Sequence, residues 1–342
     1  MTNHGDIRGK KFRPLEFIIE RLVQLTAFLS LAFIVLICVF IFREAATVFK
    51  VQKPAVAQEV EQSQSYGEEY LGADASASHS TPRASEKSIQ TKQSFMDLLG
   101  TIWQPVSLIP MFGILPLFIG SFKVALIALL ISGPMAVLAA LYTSTFASVR
   151  IKEIVKPGIE ILAGFPSVVI GFFALIIIAS LVQNIFGLQY RLNAFVGGMA
   201  LAIAIVPVIF TISEDALNAV PRSYIEASLA LGAEKWETAL FVVFPAALPG
   251  VFAAVLLGVG RAIGETMIVL MATGNAAFPT LDPFVPVRTM SATIGAEMAE
   301  VVFGDFHYSA LFFIGVVLFM ISFVINLVAE TFIRQLVMRR FK

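Results

Sequence analysis

An all-α integral membrane protein with six transmembrane helices is the fold class this sequence predicts, and three observations predict it. Apolar side chains make up 58% of the 342 residues, Phe alone accounts for 31, and charged side chains reach only 14%, against about a quarter in soluble domains. Six apolar runs are long enough to cross about 30 Å of hydrocarbon as helices. Basic residues gather in alternate connections between those runs, which gives the spans a consistent orientation.

Residues 1–21 form a polar tail carrying Arg8, Lys10, Lys11 and Arg13, and the first apolar run covers 22–42. A cleaved signal peptide is the competing reading. Its apolar core is usually about 7–15 residues and ends in an Ala-x-Ala site; this run is longer and lacks that site, so it reads as a retained span. Within it lies Cys38, the only cysteine, which leaves no internal disulfide and reads as a small apolar residue.

Residues 43–111 change character. Gln, Ser, Glu and Ala dominate from Gln52 to Gln93, a composition that buries too little apolar surface to offset chain entropy. A flexible loop is expected there, on the periplasmic side. Its last part, Phe95 to Ile109, turns apolar around Trp103 and Pro105. It reads either as a segment lying on the membrane surface or as a plain tether.

The core, 112–333, holds five further spans at about 112–142, 159–183, 194–212, 246–273 and 308–333, followed by a tail at 334–342. Ser132-Gly133-Pro134 is expected to interrupt the second span, Pro166 the third and Pro207 the fourth, with neighbouring helices satisfying the freed carbonyls. Gly197, Gly198, Gly258 and Gly260 are small enough for close helix approach.

Basic residues set the orientation. Arg150, Lys152 and Lys156 follow the second span, Arg222 and Lys235 follow the fourth, and Arg334, Arg339, Arg340 and Lys342 end the chain. The loop 274–307 sets Arg288 against Asp282, Glu297, Glu300 and Asp305. Both termini and the connector 213–245 therefore face the cytoplasm.

That connector is a polar island between apolar runs. Pro221 suits the first turn of a helix, where its missing N–H costs little. Glu226 to Leu231 are strong helix formers, and Gly232 is placed to end the helix in a left-handed conformation. A second short helix is expected from Glu234 to Phe244, with Pro245 restarting the chain toward the bilayer. From pattern alone this is an amphipathic connector between two spans.

The fifth span carries Gly260-Arg-Ala-Ile-Gly-Glu-Thr-Met267. A charge at the bilayer centre costs at least ~2.5–3.5 kcal/mol on insertion scales, so a pair there needs a reason. Their i, i+4 spacing would put Arg261 and Glu265 on one helical face, close enough to pair. Two readings stand: a structural ion pair that locks helices together, or a polar patch on a translocation pathway where the guanidinium fork meets an anion. Thr266 belongs to the same patch. Lys123, early in the second span, reads as a snorkelling side chain, and Glu160 as reaching water from the inner end of the third.

Glu226-Ala227, then Gly232, then nine residues to Val242-Val243-Phe244-Pro245 resemble the EAA loop of ABC import permeases. The resemblance implies a type I importer permease (MetI-like) fold whose cytoplasmic helix pair docks on a separate ATPase, with Glu226, Ala227, Gly232 and Pro245 as the coupling residues. Five more stretches narrow it. Gly260–Met267, Met271-Ala-Thr-Gly-Asn275, Glu160–Val169, Val287–Glu297 and His307-Tyr-Ser-Ala-Leu311 are similar to phosphate-specific transport permeases of the PstC type. Sister PstA-type chains share Arg-Ala-Ile-Gly-Glu-Thr but continue with Ala-Pro-Leu, where this chain has Met267-Ile268-Val269. The resemblance implies phosphate as cargo, a PstA-type sister permease, a PstB-type ATPase dimer, a periplasmic PstS-type binding protein and a PhoU-type regulator.

Other function classes lack their residues. There is no Gly-x4-Gly-Lys-Ser/Thr loop, so ATP hydrolysis is expected in a partner and the chain is not expected to be an enzyme or to hold a cofactor. His4, His79 and His307 fit no zinc pattern, and zero net charge offers no nucleic-acid surface. A membrane-embedded hydrolase would need a nucleophile and base at membrane depth, and no Gly-x-Ser-x-Gly occurs. A secondary transporter also uses broken helices and intramembrane charges, but has no ATPase for an EAA loop to engage. Sulfate, molybdate and phosphonate importers share the architecture.

Overall fold

Only helices and closed barrels satisfy every backbone group inside hydrocarbon, and this chain is built from helices. The computed structural model describes residues 14–49 and 95–340. The flexible loop expected at Gln52–Gln93 and the basic cluster Arg8–Arg13 lie outside the described residues.

Among the described residues, six helices are long and apolar enough to cross a membrane. They are α1 (Pro14–Ala46), α2 (Leu115–Phe146), α4 (Ser167–Phe186), α5 (Ala194–Asn218), α7 (Lys235–Gly264) and α10 (Phe306–Arg340). Between them lie α3 (Val149–Ala163), α6 (Arg222–Ala230), α8 (Met267–Ala272) and α9 (Met290–Glu297). A two-stranded hairpin pairs β1 (Trp103–Gln104) with β2 (Met111–Phe112). The bundle thus has a hairpin end, with the hairpin and α9, and a connector end, with α3 and α6.

Several expected boundaries move. The third span begins at Ser167, not at 159, because Pro166 separates it from α3. Glu160 therefore belongs to α3, an amphipathic helix outside the spans. Pro134 and Pro207 do not interrupt their helices; α2 and α5 run straight through them. Nor does Pro245 restart the chain. Lys235 to Gly264 is one helix with a wide π-turn at Thr238–Val243, and Pro245 sits just beyond that turn, within its second segment. The fifth span ends at Gly264 rather than 273, since Glu265 has an extended backbone and Thr266 separates it from α8.

The segment 95–109 is not a plain tether. A short 3-10 turn at Phe95–Leu99 leads into the hairpin, whose Trp103 is buried edge-on against Phe112 at 5.8 Å between ring centres. With Val48, Leu117, Met290 and Leu311 these rings form a second core at the hairpin end. The main core lies among α2, α4, α5, α7 and α8.

Small residues let the helix backbones meet. A Cβ on Gly197 would lie 2.4 Å from the Thr273 methyl, one on Gly198 2.5 Å from Ile127, and one on Gly258 2.8 Å from Ile209. Gly260 faces open space instead. Lys123 does not snorkel: it is buried and donates to the carbonyls of Thr280 and Asp282 at 2.8 and 2.7 Å. It ties the 274–287 loop over the bundle. That loop in turn offers the carbonyls of Val285 and Pro283 to the first N–H groups of α5, which would otherwise lack partners.

Adding one methyl to the α2–α5 contact tests this packing. Gly198→Ala should lower stability by about 1–3 kcal/mol, read as a lower melting temperature in detergent. Gly260→Ala, in open space within a helix, should not lower stability and should raise it by up to about 1 kcal/mol.

Candidate functional site

Three groupings of polar residues stand out, one at the connector end, one where α7 ends and one under the hairpin. At the connector end, Pro221 begins α6 with φ −58° and ψ 134°. Gly232 follows at φ +89°, the left-handed turn that its lack of Cβ permits. None of the nine residues of α6 is buried. Glu226, Ala227 and Gly232 are all exposed, beside the exposed apolar side chains of Tyr224, Leu229, Leu231 and Trp236. The start of α7 is fixed locally: Glu234 N–H donates to the Glu237 carboxylate at 2.8 Å, and the Trp236 indole donates to Glu234 at 2.8 Å. Ser228 and Thr238 share a hydrogen bond of 3.0 Å, which joins α6 to the root of α7. Pro245, half-buried, lies inside α7 rather than in the connector.

Arg261 lies in the last turn of α7, about 40 Å along that helix from its start. Here the expected geometry fails. Because the helix stops at Gly264, Glu265 does not occupy an i, i+4 position on a continuous helix, and no ion pair joins it to Arg261 among the described residues. Arg261 is exposed, and Glu265 and Thr266 are half-buried. The Glu265 carbonyl accepts from Ser291 at 2.6 Å, so the break is held against the first turn of α9. Thr289 caps that turn, accepting from the N–H of Ala292 at 3.2 Å, and Ser121 of α2 accepts from the N–H of Met290 at 2.9 Å. A Cβ on Gly295 would meet the Thr266 methyl at 2.6 Å. The structure therefore gathers Arg261, Glu265 and Thr266 at a break between helices, with the guanidinium unpaired and accessible.

The third grouping centres on Glu297, whose role the sequence does not reveal. Its carboxylate pairs with Arg288 at 2.6 Å and with His307 Nε2 at 2.9 Å, and accepts the Trp103 indole N–H at 3.2 Å on both oxygens. Arg288 also donates to Asn275 at 3.0 Å. The hub ties the hairpin, the 274–287 loop, α9 and the start of α10 together, beside a cleft of about 560 Å³. Burial pushes the Glu297 carboxyl up, but the His307 hydrogen bond, the Arg288 charge and the Trp103 N–H outweigh it and hold the group below its ordinary value. The signal was present in the sequence as three polar residues in the last 60 positions, but only folding brings them to one point.

A carboxyl with a lowered folded pKa stabilises the fold above its unfolded pKa, and that contribution is lost as pH falls through the folded value. Glu297→Gln should therefore cost roughly 1–3 kcal/mol at pH 7. The gap in melting temperature between variant and wild type should close as pH falls below about 4, which a thermal scan in detergent from pH 7 to pH 3 would read.

Comparison with known proteins identifies the family. Residues 132–341 match the family described as binding-protein-dependent transport system inner membrane component. The probable ABC transporter permease protein YqgH of Bacillus subtilis is 34% identical over 238 residues, covering 70% of this chain and 76% of that protein. The phosphate transport system permease protein PstC of Mesorhizobium japonicum is 31% identical over 255 residues, covering 69% and 77%. The fold is similar to a bacterial alginate ABC transporter in complex with an alginate pentasaccharide-bound periplasmic protein, with TM-score 0.56 and 15% identity over 94% of this chain and 98% of that one. Family membership implies an ATPase and a periplasmic binding protein as partners. The chain belongs to the binding-protein-dependent transport system inner membrane component family, as a multi-pass, PstC-type permease subunit of an ABC importer.

Proposed function

We propose that this chain forms half of the translocation pathway of an ATP-driven importer for inorganic phosphate. A PstA-type sister permease supplies the other half, a PstB-type ATPase dimer supplies the energy, and a PstS-type periplasmic protein delivers the cargo. A PhoU-type regulator is a further partner of such a complex. Both termini and α6 face the cytoplasm, as the basic connections require.

The observation that carries this reading is the continuity of α7. One helix runs from the exposed α6 connector to the break at Arg261 and Glu265. Glu226, Ala227 and Gly232 form the ATPase contact, and Pro245 lies on the route inward. Closure of the ATPase dimer draws the α6 helices of the two permeases together and switches the cavity by rigid-body motion. The ATPase must contact α6 differently in the two states, since equal binding shifts nothing. Arg261, unpaired and accessible, offers a planar fork of donors to phosphate oxygens, with Glu265 and Thr266 beside it. Phosphate rather than another oxyanion is supported by the names of the PstC relatives; sulfate, molybdate and phosphonate are the second reading, since the guanidinium suits any of them.

Gly232→Pro fixes φ near −65° where the chain needs +89°. It should leave the protein in the membrane and abolish ATPase co-purification, and normal phosphate uptake with this change would refute the coupling role. Arg261→Gln should lower uptake of radiolabelled phosphate about tenfold or more with the complex intact. Uptake of labelled phosphate, set against sulfate and molybdate in a strain lacking the transporter, separates the two cargo readings.

A further inference from the structure

Glu214 lies in the last two turns of α5 and is almost fully enclosed, its side chain 4% exposed. A carboxylate at such a site is costly unless partnered. Its partner comes from outside the helix: Lys156 of α3 approaches to 2.8 Å, and Asn218, one turn further along α5, donates to the same oxygen at 2.9 Å. Lys152, one turn before Lys156, donates to the Ser144 carbonyl at the end of α2 at 3.2 Å. Val155 and Ile159 of α3 pack against the main core. Thus α3 is held along the connector end of α2 and α5 by two lysines and an apolar face.

The position of the pair gives it a role that stability alone does not explain. Only Ala219, Val220 and Pro221 separate Asn218 from α6, and α6 buries nothing of its own. A displacement of α6 reaches the bundle on one side through Leu231–Glu234, the Ser228–Thr238 hydrogen bond to α7 and the packing of Ile225 on the main core. On the other side it reaches α5 only through the elbow between α5 and α6. If that elbow yields, α6 moves and α5 does not. The Lys156–Glu214 pair grips α5 one turn before the elbow and anchors it to α3.

We propose that Lys156 is a positioning residue for coupled transport: by pairing with Glu214 it holds the end of α5, so that motion of α6 is passed to the bundle instead of being absorbed at the elbow. The inference rests on α6 being the ATPase contact.

The test uses the whole complex, with sister permease, ATPase and binding protein, in proteoliposomes supplied with labelled phosphate and ATP. K156Q should assemble and keep hydrolysing ATP, while phosphate taken up per ATP falls about fivefold or more. E214Q should give the same loss, the double variant K156Q/E214Q should be no worse than either alone, and K156R should retain most of the wild-type ratio. An unchanged ratio in K156Q overturns the role. So does a K156Q complex that fails to assemble, or one in which uptake and hydrolysis fall in proportion, because the pair is then a structural brace only. Gly232→Pro in the same assay keeps the two levels apart. If it still recruits the ATPase, the α6 contact is wrong and this inference falls with it; if it loses the ATPase while K156Q matches wild type, the positioning role alone is wrong.

Discussion

Between helices surrounded by lipid, apolar side chains have no water to escape, so association depends on how closely backbones approach and on the polar groups that join them. Here the approach is set along α5. Gly197 receives Thr273, Gly198 receives Ile127 of α2, and Gly258 of α7 receives Ile209, each at a spacing that leaves no room for a Cβ. Once α2, α5 and α7 are drawn together in this way, the polar ties at either end find their partners. Lys123 reaches the 274–287 loop, Ser121 reaches the first turn of α9, and Glu214 reaches Lys156. The break at Glu265 is held by this same frame through Ser291.

The frame also separates two kinds of polar residue. Glu297 and Glu214 are enclosed, multiply bonded and committed to holding segments together. Arg261, Glu226 and Gly232 are exposed in this single chain. In the complex proposed above, with a sister chain and an ATPase, the second kind is where further partners come to bear. The absence of an Arg261–Glu265 pair matters for that reason, because a guanidinium already neutralised by a carboxylate would have less to offer an anion.

Much of this was legible in the sequence, and the reasons differ by element. The spans were visible because length and apolarity alone define them, and Gly232 because a helix stop with left-handed backbone has few other occupants. The span limits were harder. Pro134, Pro207 and Pro245 look like breaks, yet each is carried within a helix, whereas Pro166, of the same residue type, divides α3 from α4. Which proline breaks a helix depends on neighbours that a linear pattern does not contain. The same limit hid the Glu297 hub, since Trp103 and Glu297 are 194 positions apart. It hid Lys156–Glu214 too, as Lys156 carried only its charge into the orientation argument and Glu214 lay beyond the expected span end.

The attachment of α1 has a consequence for how the chain is assembled. Among the described residues α1 rests chiefly on α10, through Phe40 on Phe312 and Phe42 on Phe319, with Thr47 on Ser309 just past the end of α1. The docking of α1 therefore waits for a helix made much later in the chain. Until synthesis reaches α10, α1 lacks its main contact within this chain and is held chiefly by its own partition into lipid. Those two helices are the most apolar of the six, the composition that such a wait demands, while the middle helices, which meet their neighbours sooner, can hold glycine and polar side chains in their contacts.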